Sequence, residues 1–365
     1  MRPETEAELA EIVRGANGPL VVRGGGTRGI GVVAGEVVET GGLSGIVLYE
    51  PGALTLVARA GSTLAEIEAT LGAEGQRLAF EPPDMRAVLG TAGQSTLGGV
   101  VAANASGPRR MQAGAARDFA LGVRFVDGRG NVIKNGGRVM KNVTGLDLVK
   151  LMAGSRGTLG ILTEISLKVL PVPETEVTLV ARGLDVAAAV AAMARGLGSP
   201  FEVTGAAHLA ASGETRLRIE GLAGSVAYRQ GRLLAMLGGD WAVAEGAASA
   251  ALWREVRDVG PLVGLPGNLW RVHLKPSDAG HLLEAMPGVP ALVDWGGGLV
   301  WLRLAEGQGA RLRAVVATLG GHATRWSGDD DVPAEAPEAA GVTVLSAGLR
   351  AEFDPRGVFG AGAAR

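Results

Sequence analysis

The chain has no cysteine. That excludes disulfides, thiol catalysis, a cysteine-ligated iron–sulfur cluster and a flavin attached through cysteine. Aromatic residues are only 4% of the 365 positions, while hydrophobic residues are 47%, so the cores must be built from Ala, Val and Leu. Lysine is scarce too, at Lys134, Lys141, Lys150, Lys168 and Lys275 alone, and nearly every cation is an arginine. Neither sign of charge dominates, the formal net charge being −2. There is no basic patch interleaved with aromatics, so no nucleic-acid partner is expected. No apolar run reaches the roughly 18 residues of a membrane span. The opening Met1-Arg2-Pro3-Glu4-Thr5-Glu6 lacks an apolar leader segment, and a cytoplasmic location is expected. The length exceeds the roughly 250–300 residues at which one core stops growing, so about two domains are expected.

Glycine, in contrast, is abundant at 59 residues. Its most organised cluster is Val21-Val22-Arg23-Gly24-Gly25-Gly26-Thr27-Arg28-Gly29-Ile30, an apolar strand running into a loop with no acidic residue. Glycine reaches positive φ at little cost, so successive N–H groups can face one concavity and form an anion nest. Thr27, Arg23 and Arg28 could add side-chain donors. The loop reads as a phosphate or pyrophosphate cradle, with an ordinary glycine-rich hairpin as the alternative. Gly24 to Gly29 also fits G-x-G-x-x-G, but the dinucleotide fingerprint requires a helix to open there. The following Ile30–Thr40 is β-branched and glycine-punctuated, hence strand and turn. A Rossmann unit is rejected.

Taken in order, residues 5–16 form an amphipathic helix with Ala7, Leu9, Ile12 and Val13 on one face. A strand at 54–60 follows, then a helix capped by Ser62 or Thr63 with Glu66 in capping-box position. The run from Thr91 to Gly107 carries only small or short side chains, either a surface for a flat ligand or a tightly packed helix. Asp127-Gly128-Arg129-Gly130 marks a hairpin. Ser155–Pro171 is a glycine turn feeding a strand. Beyond the prolines 171 and 173 the pattern becomes β-α-β-β-α-β, the ferredoxin-like order, over 176–245. After a linking helix near 249–258 it recurs over 268–327. Gly328–Ala340 reads as an exposed acidic loop. The apolar tail around Phe353, Val358 and Phe359 needs burial. The expected division is 1–173, 174–330 and a C-terminal segment, 331–365, that packs back on the first domain.

The glycine loop, the small-residue run, Ser155–Pro171 and the closing Phe353-Asp354-Pro355-Arg356-Gly357-Val358-Phe359 occur in register. Together they resemble the FAD-binding domain of the vanillyl-alcohol oxidase (PCMH-type) superfamily. Two further stretches, Gly136-Gly137-Arg138-Val139-Met140-Lys141-Asn142-Val143-Thr144-Gly145-Leu146-Asp147 and Val293-Asp294-Trp295-Gly296-Gly297-Gly298-Leu299-Val300-Trp301-Leu302, are similar to the FAD-binding subunits of bacterial glycolate oxidases. The resemblance implies an α+β fold: two α+β subdomains that cradle FAD, then a ferredoxin-like cap of duplicated βαββαβ units. Carried over by position, Arg23, Gly24, Gly25, Gly26, Thr27 and Arg28 would hold the pyrophosphate. Pro83, Thr96, Leu97, Gly98, Gly99, Asn104 and Gly107 would line the flavin and ribityl side. Gly160, Ile161 and Ile165 would sit by the adenosine. No histidine precedes His208, so a histidyl–flavin link in the FAD domain is impossible and FAD should be non-covalent.

The departures bear on function. Thr144 and Leu146 stand where such subunits usually have Ala and Tyr. Catalytic relatives carry a histidine cluster in the second domain, whereas His208, His273, His281 and His322 here make no local metal-ligand motif. His273 is a candidate base by type and a half-buried strand histidine by position. Arg271 and Arg303 could hold a carboxylate, though strand-edge arginines are commonly solvated or ion-paired. The resemblance implies an accessory FAD-binding oxidoreductase subunit in the conversion of glycolate to glyoxylate, with no catalytic residue and no metal assigned to it. Its partners would be a catalytic flavin subunit and an iron–sulfur subunit, through which peripheral membrane association is possible. A stand-alone FAD-dependent 2-hydroxyacid dehydrogenase and a flavin-less assembly subunit are the alternatives.

Overall fold

The computed structural model describes residues 1–28, 34–138 and 145–360. Residues 29–33, which include the start of the strand-and-turn stretch expected over 30–40, and the stretch 139–144 of the glycolate-oxidase-like motif lie outside these residues. The first half contains β1 (Leu20–Arg23), β2 (Glu36–Glu39), β3 (Ile46–Glu50), β4 (Thr55–Arg59), β5 (Gln76–Arg77), β6 (Ala120–Val126), β7 (Val132–Gly136), β8 (Ile161–Lys168) and β9 (Leu170–Pro171). Five of them make an antiparallel sheet in the order β3-β4-β8-β6-β7. β1 and β2 pair in parallel beside it, and β5 pairs with β9.

Helices Leu64–Ala73, Leu97–Ala102 and Leu148–Met152 cover one face of the five-stranded sheet. Their core includes Leu56, Ile67, Leu71, Val100, Phe125, Met152 and Ile165, all fully buried. The Thr63 hydroxyl caps the first of these helices by accepting from the Glu66 N–H at 3.2 Å, a contact worth about 1 kcal/mol. A second cluster joins helix Glu6–Gly15 to the end of the chain: Leu9, Val13, Leu20, Val38 and Ile161 pack with Val358 and Phe359. Asp354 accepts from the N–H groups of Val358 and Phe359, and Leu20 donates to the Val358 carbonyl at 2.7 Å.

The second half contributes β10 (Thr175–Ala181), β11 (Val203–Leu209), β12 (Glu214–Gly221), β13 (Ala242–Glu245), β14 (Asn268–His273), β15 (Ala291–Asp294), β16 (Leu299–Leu304) and β17 (His322–Arg325). They form one antiparallel sheet ordered β13-β10-β12-β11-β15-β16-β14-β17. Each βαββαβ unit has its strands in the order 4-1-3-2, and the units meet through their second strands, β11 and β15. Alternate residues of a strand face opposite ways. Leu217, Ile219, Trp270 and Val272 therefore enter the core under helices Val186–Leu197, Ala223–Leu237, Ala279–Ala285 and Gly309–Thr318. Arg216, Arg218, Glu220, Leu269 and Arg271 take the opposite face. There Trp253, Trp295, Trp301 and Trp326 pack with Met85 and Val88 from the first half.

A charge network joins the halves. Arg218 makes two 2.8 Å bonds to the Glu81 carboxylate, Arg77 donates to Glu220 at 2.9 Å, and Arg109 contacts both Glu220 and Glu81. Arg218 is 1% exposed. Because the partners are charged and close, the Glu81 carboxyl is held down at about 2 against its burial, by Arg218 and Arg109. One expectation needs correction. Ala7 is exposed and Ala10 is buried in its place. The segment 328–340 is largely exposed, as expected, and is anchored at its middle: Ala334 is buried, its carbonyl accepts from the Arg325 N–H, and Glu335 pairs with Arg156. Among the described residues no helix is long and apolar enough to cross a membrane.

Candidate functional site

A cavity of about 630 Å³ lies where β1, its glycine loop, helix Leu97–Ala102 and the turn before β8 converge. That volume is in the range of small-molecule and cofactor sites. Arg23, Arg28 and Arg156 line it, and no Asp or Glu does. Among the described residues, no hydrogen-bond acceptor meets the main-chain N–H groups of residues 24–28. The loop therefore offers unsatisfied donors and positive charge at one wall, which suits a diphosphate. No helix opens within the described part of the loop.

The glycines are demanded by close packing. A Cβ on Gly25 would lie 1.5 Å from the Gln94 carbonyl oxygen, and one on Gly24 would lie 2.6 Å from Thr96 Oγ1. Gly26 has φ +68°, a region that costs other residues strain. Arg28 pins the loop in place by donating to Ser95 Oγ at 2.7 Å and to the Pro83 carbonyl at 2.5 Å. Burial pushes its pKa down to about 10, with Asp84 and Asp258 opposing, so it stays charged at neutral pH. Its buried Nε has no partner.

The cavity brings together Arg23, Gly24, Gly25, Gly26, Thr27, Arg28, Thr96, Gly98, Gly99, Gly160 and Ile161. Pro83, Leu97, Asn104, Gly107 and Ile165 do not line it. Leu97 and Ile165 are fully buried in the first core. Asn104, at φ +47°, accepts from the Arg117 N–H, and the Gly107 carbonyl accepts from Trp295 Nε1 at 3.0 Å. The lining also includes residues that the sequence expectation did not name, among them Arg156, Trp326 and Phe359. Arg156 stands next to the glycine turn at 157, which was a usable signal. Trp326 and Phe359 come from the second sheet and the chain end, which no local pattern could bring to the cavity.

Beyond Trp326 lies a second cluster. The Arg271 guanidinium sits 5.5 Å from the ring centres of Trp295 and Trp301 and 5.6 Å from that of Trp326. Arg110 sits 4.7 Å from the Trp295 ring centre. Pairing of β14 with β17 stacks His273 on His322, ring centres 4.9 Å apart, a contact their sequence separation hid. Burial, then Arg271 and His322, push His273 down to about 2, so it is neutral and a weak base. Asp294 accepts from the Trp295 N–H at 2.7 Å, and burial pushes its carboxyl up to about 7. Arg303 is not open to a carboxylate ligand. Its guanidinium is occupied by the carbonyls of Val88, Leu262 and Gly267 at 2.6, 3.2 and 2.9 Å. Among the described residues no group of three or more His, Asp or Glu could hold a metal ion.

Comparison with known proteins gives the class first. Residues 1–136 match the family model described as an FAD binding domain. A solved structure of alkyldihydroxyacetonephosphate synthase superposes with a TM-score of 0.69 at 17% identity, covering 98% of this chain and 76% of that one; it shares the fold. The protein is an FAD-binding oxidoreductase with PCMH-type α+β architecture. The glycolate oxidase subunit GlcE of Escherichia coli is 37% identical over 348 residues, 94% of this chain and 92% of its own. The chain belongs to the family of that subunit. The glycolate oxidase subunit GlcD of Bacillus subtilis is 35% identical over 47% of this chain and 36% of its own.

Proposed function

We propose that this chain is the FAD-binding, accessory subunit of a glycolate oxidase assembly. Residues 1–173 with 331–365 hold the flavin and 174–330 cover it. The observation that carries this reading is the cavity beside the glycine loop, with free main-chain donors, three arginines and no carboxylate. FAD supplies the capacity to accept a hydride. The chain's own contribution is to neutralise the diphosphate with the amides of 24–28 and the arginines, and to exclude water with Trp326 and Phe359. Attachment is non-covalent, since neither cysteine nor a histidine before His208 is available.

Two features support an accessory role. His273 is too weak a base to take a hydroxyl proton efficiently, and Arg303 is committed to carbonyls. Without cysteine no iron–sulfur cluster of the usual thiolate kind can form in this chain. Electrons must leave through other chains, here a catalytic flavin subunit and an iron–sulfur subunit. The test is an anaerobic visible spectrum of the purified chain with FAD, before and after glycolate. The expected result is bound flavin that glycolate leaves oxidised. Bleaching by glycolate would favour a stand-alone dehydrogenase. A colourless protein after incubation with FAD would overturn the flavin assignment. Replacing Gly25 with Val should abolish flavin retention on gel filtration, because its side chain has no space beside Gln94.

A further inference from the structure

We propose that Glu335 is a positioning residue for the flavin cavity: it holds Arg156 at the cavity wall, so that the segment after Trp326 latches the second half of the chain over the cofactor. This rests on the flavin reading of the cavity and adds a residue that reading does not contain. The backbone gives the first indication. Arg156 has φ +53° in a turn whose other left-handed positions, Gly154 and Gly157, are glycines. A side chain is strained at such a position and glycine is not. A residue kept there against strain points to a use for its side chain.

The main chain of this turn is fixed. The Arg156 N–H donates to the Ala102 carbonyl at 2.9 Å and the Gly154 N–H to the Val101 carbonyl at 3.1 Å, which ties the turn to a helix that also lines the cavity. The long side chain is not fixed by the turn, and ordering it costs rotamer freedom. Among the described residues, the ion-pair partner that orders it is Glu335. Glu335 stands where its segment changes sides. Up to residue 334 the ties run to the second half: Asp330 accepts from the Gly309 N–H at 3.3 Å, the Pro333 carbonyl from Arg313, and the Ala334 carbonyl from the Arg325 N–H at 2.8 Å. The next residue reaches the first half. The segment thus leaves the cavity at Trp326, which lines it, and returns to it at Glu335.

Pairing leaves Arg156 able to meet a phosphate. A guanidinium carries five N–H donors, and a carboxylate in the forked geometry engages two of them. The rest remain for the cavity that Arg156 lines. Glu335 itself is not part of the lining, so its charge is set behind the guanidinium and not among the phosphates. The two side chains are 36% and 32% exposed, and a partly buried pair is screened less by water than a surface one. A carboxylate that competed with the diphosphate for Arg156 would weaken cofactor binding, whereas one that positions Arg156 strengthens it. The sign of a single substitution separates the two.

The test is the rate of FAD release from the full chain, read from flavin fluorescence on dilution, with ADP affinity by calorimetry as a probe of the diphosphate contacts alone. The expected result for Glu335→Gln is release about three- to fivefold faster, as for loss of one partly exposed ion pair, and a matching loss of ADP affinity. The bound-flavin spectrum and near-ultraviolet circular dichroism should be kept. Arg156→Gln should lose at least as much, and adding Glu335→Gln to it should change nothing further, because one residue acts through the other. A merely structural segment would add its own loss. Asp331→Asn removes the same charge from an exposed position of the same segment and should match the parent. Unchanged or slower release in Glu335→Gln, or additive losses in the double variant, would overturn the latch alone. A parent chain that takes up neither FAD nor ADP would overturn the flavin reading and the latch with it.

Discussion

Arg218, Arg303 and Arg271 stand on the same face of the eight-stranded sheet, and each meets burial differently. Arg218 stacks 4.6 Å from the Trp253 ring centre and is held by Glu81 with Glu220 and Glu176 nearby. Arg303 is held by three main-chain carbonyls. Arg271 has aromatic faces and no acceptor. Arginine is thus a lock between the halves on β12, a pin on β16 and an open donor on the neighbouring β14. An ion pair is matched only if both partners are delivered, and the first half delivers Glu81 and Val88 where it packs closely. Opposite Arg271 it delivers Arg110, a like charge.

Removing a partner should separate the three. The largest effect is expected for Glu81→Gln, which leaves Arg218 and Arg109 short of counter-charge at a cost of about 3–5 kcal/mol in urea unfolding. Replacing Glu81 and Arg218 together by Met should recover much of that loss, because no charge is then stranded. The pH dependence has a definite sign. The Glu81 carboxyl is lowered from 4.5 to about 2 in the folded state, so its stabilisation is present above 4.5 and is lost as pH falls towards 2. That acid limb should flatten in Glu81→Gln.

Arg303→Met comes next. It strands the carbonyls of Val88, Leu262 and Gly267, and about 2–3 kcal/mol is expected, read from the same denaturation curves. Asp294→Asn should act in the opposite direction. The Asp294 carboxyl is raised from 3.8 to about 7, so its contribution is full below 3.8 and declines as pH rises through 7. Asparagine still caps the Trp295 N–H and escapes that decline. The variant should melt higher than the parent at pH 8 and equal to it near pH 4. The smallest change is expected for Arg271→Met, whose melting temperature in ligand-free buffer should match or slightly exceed the parent. A large loss there would erase the distinction between lock and open donor.

Much of the fold was legible in the sequence. The two βαββαβ units came from period-2 and period-3.6 alternation, and the helix start at Thr63 came from its hydroxyl and spacing. These signals are local, and tertiary packing reinforced them. The candidate site was legible at its loop, where Arg23–Arg28 line the cavity. It was less so at the small-residue run. Gly98 is glycine because a Cβ would lie 2.8 Å from Ala60 Cβ, and composition alone cannot tell a glycine spared for a ligand from one spared for packing. Leu97 and Ile165 entered the core for a similar reason: their apolar character serves either purpose.

The sequence by itself determined the chemistry that is excluded, the strand and helix order, and an unpaired donor loop. Absences, alternation and glycine spacing need no partner to be read. Tertiary structure decided which charges meet. Whether an arginine is a lock, a pin or an open donor depends on what another segment brings within hydrogen-bond reach, and nothing at its own position encodes that. It also decided that His273 lies on His322 and that Trp326 and Phe359 close a cavity begun more than two hundred residues earlier, because these contacts follow from strand register and from the return of the chain end.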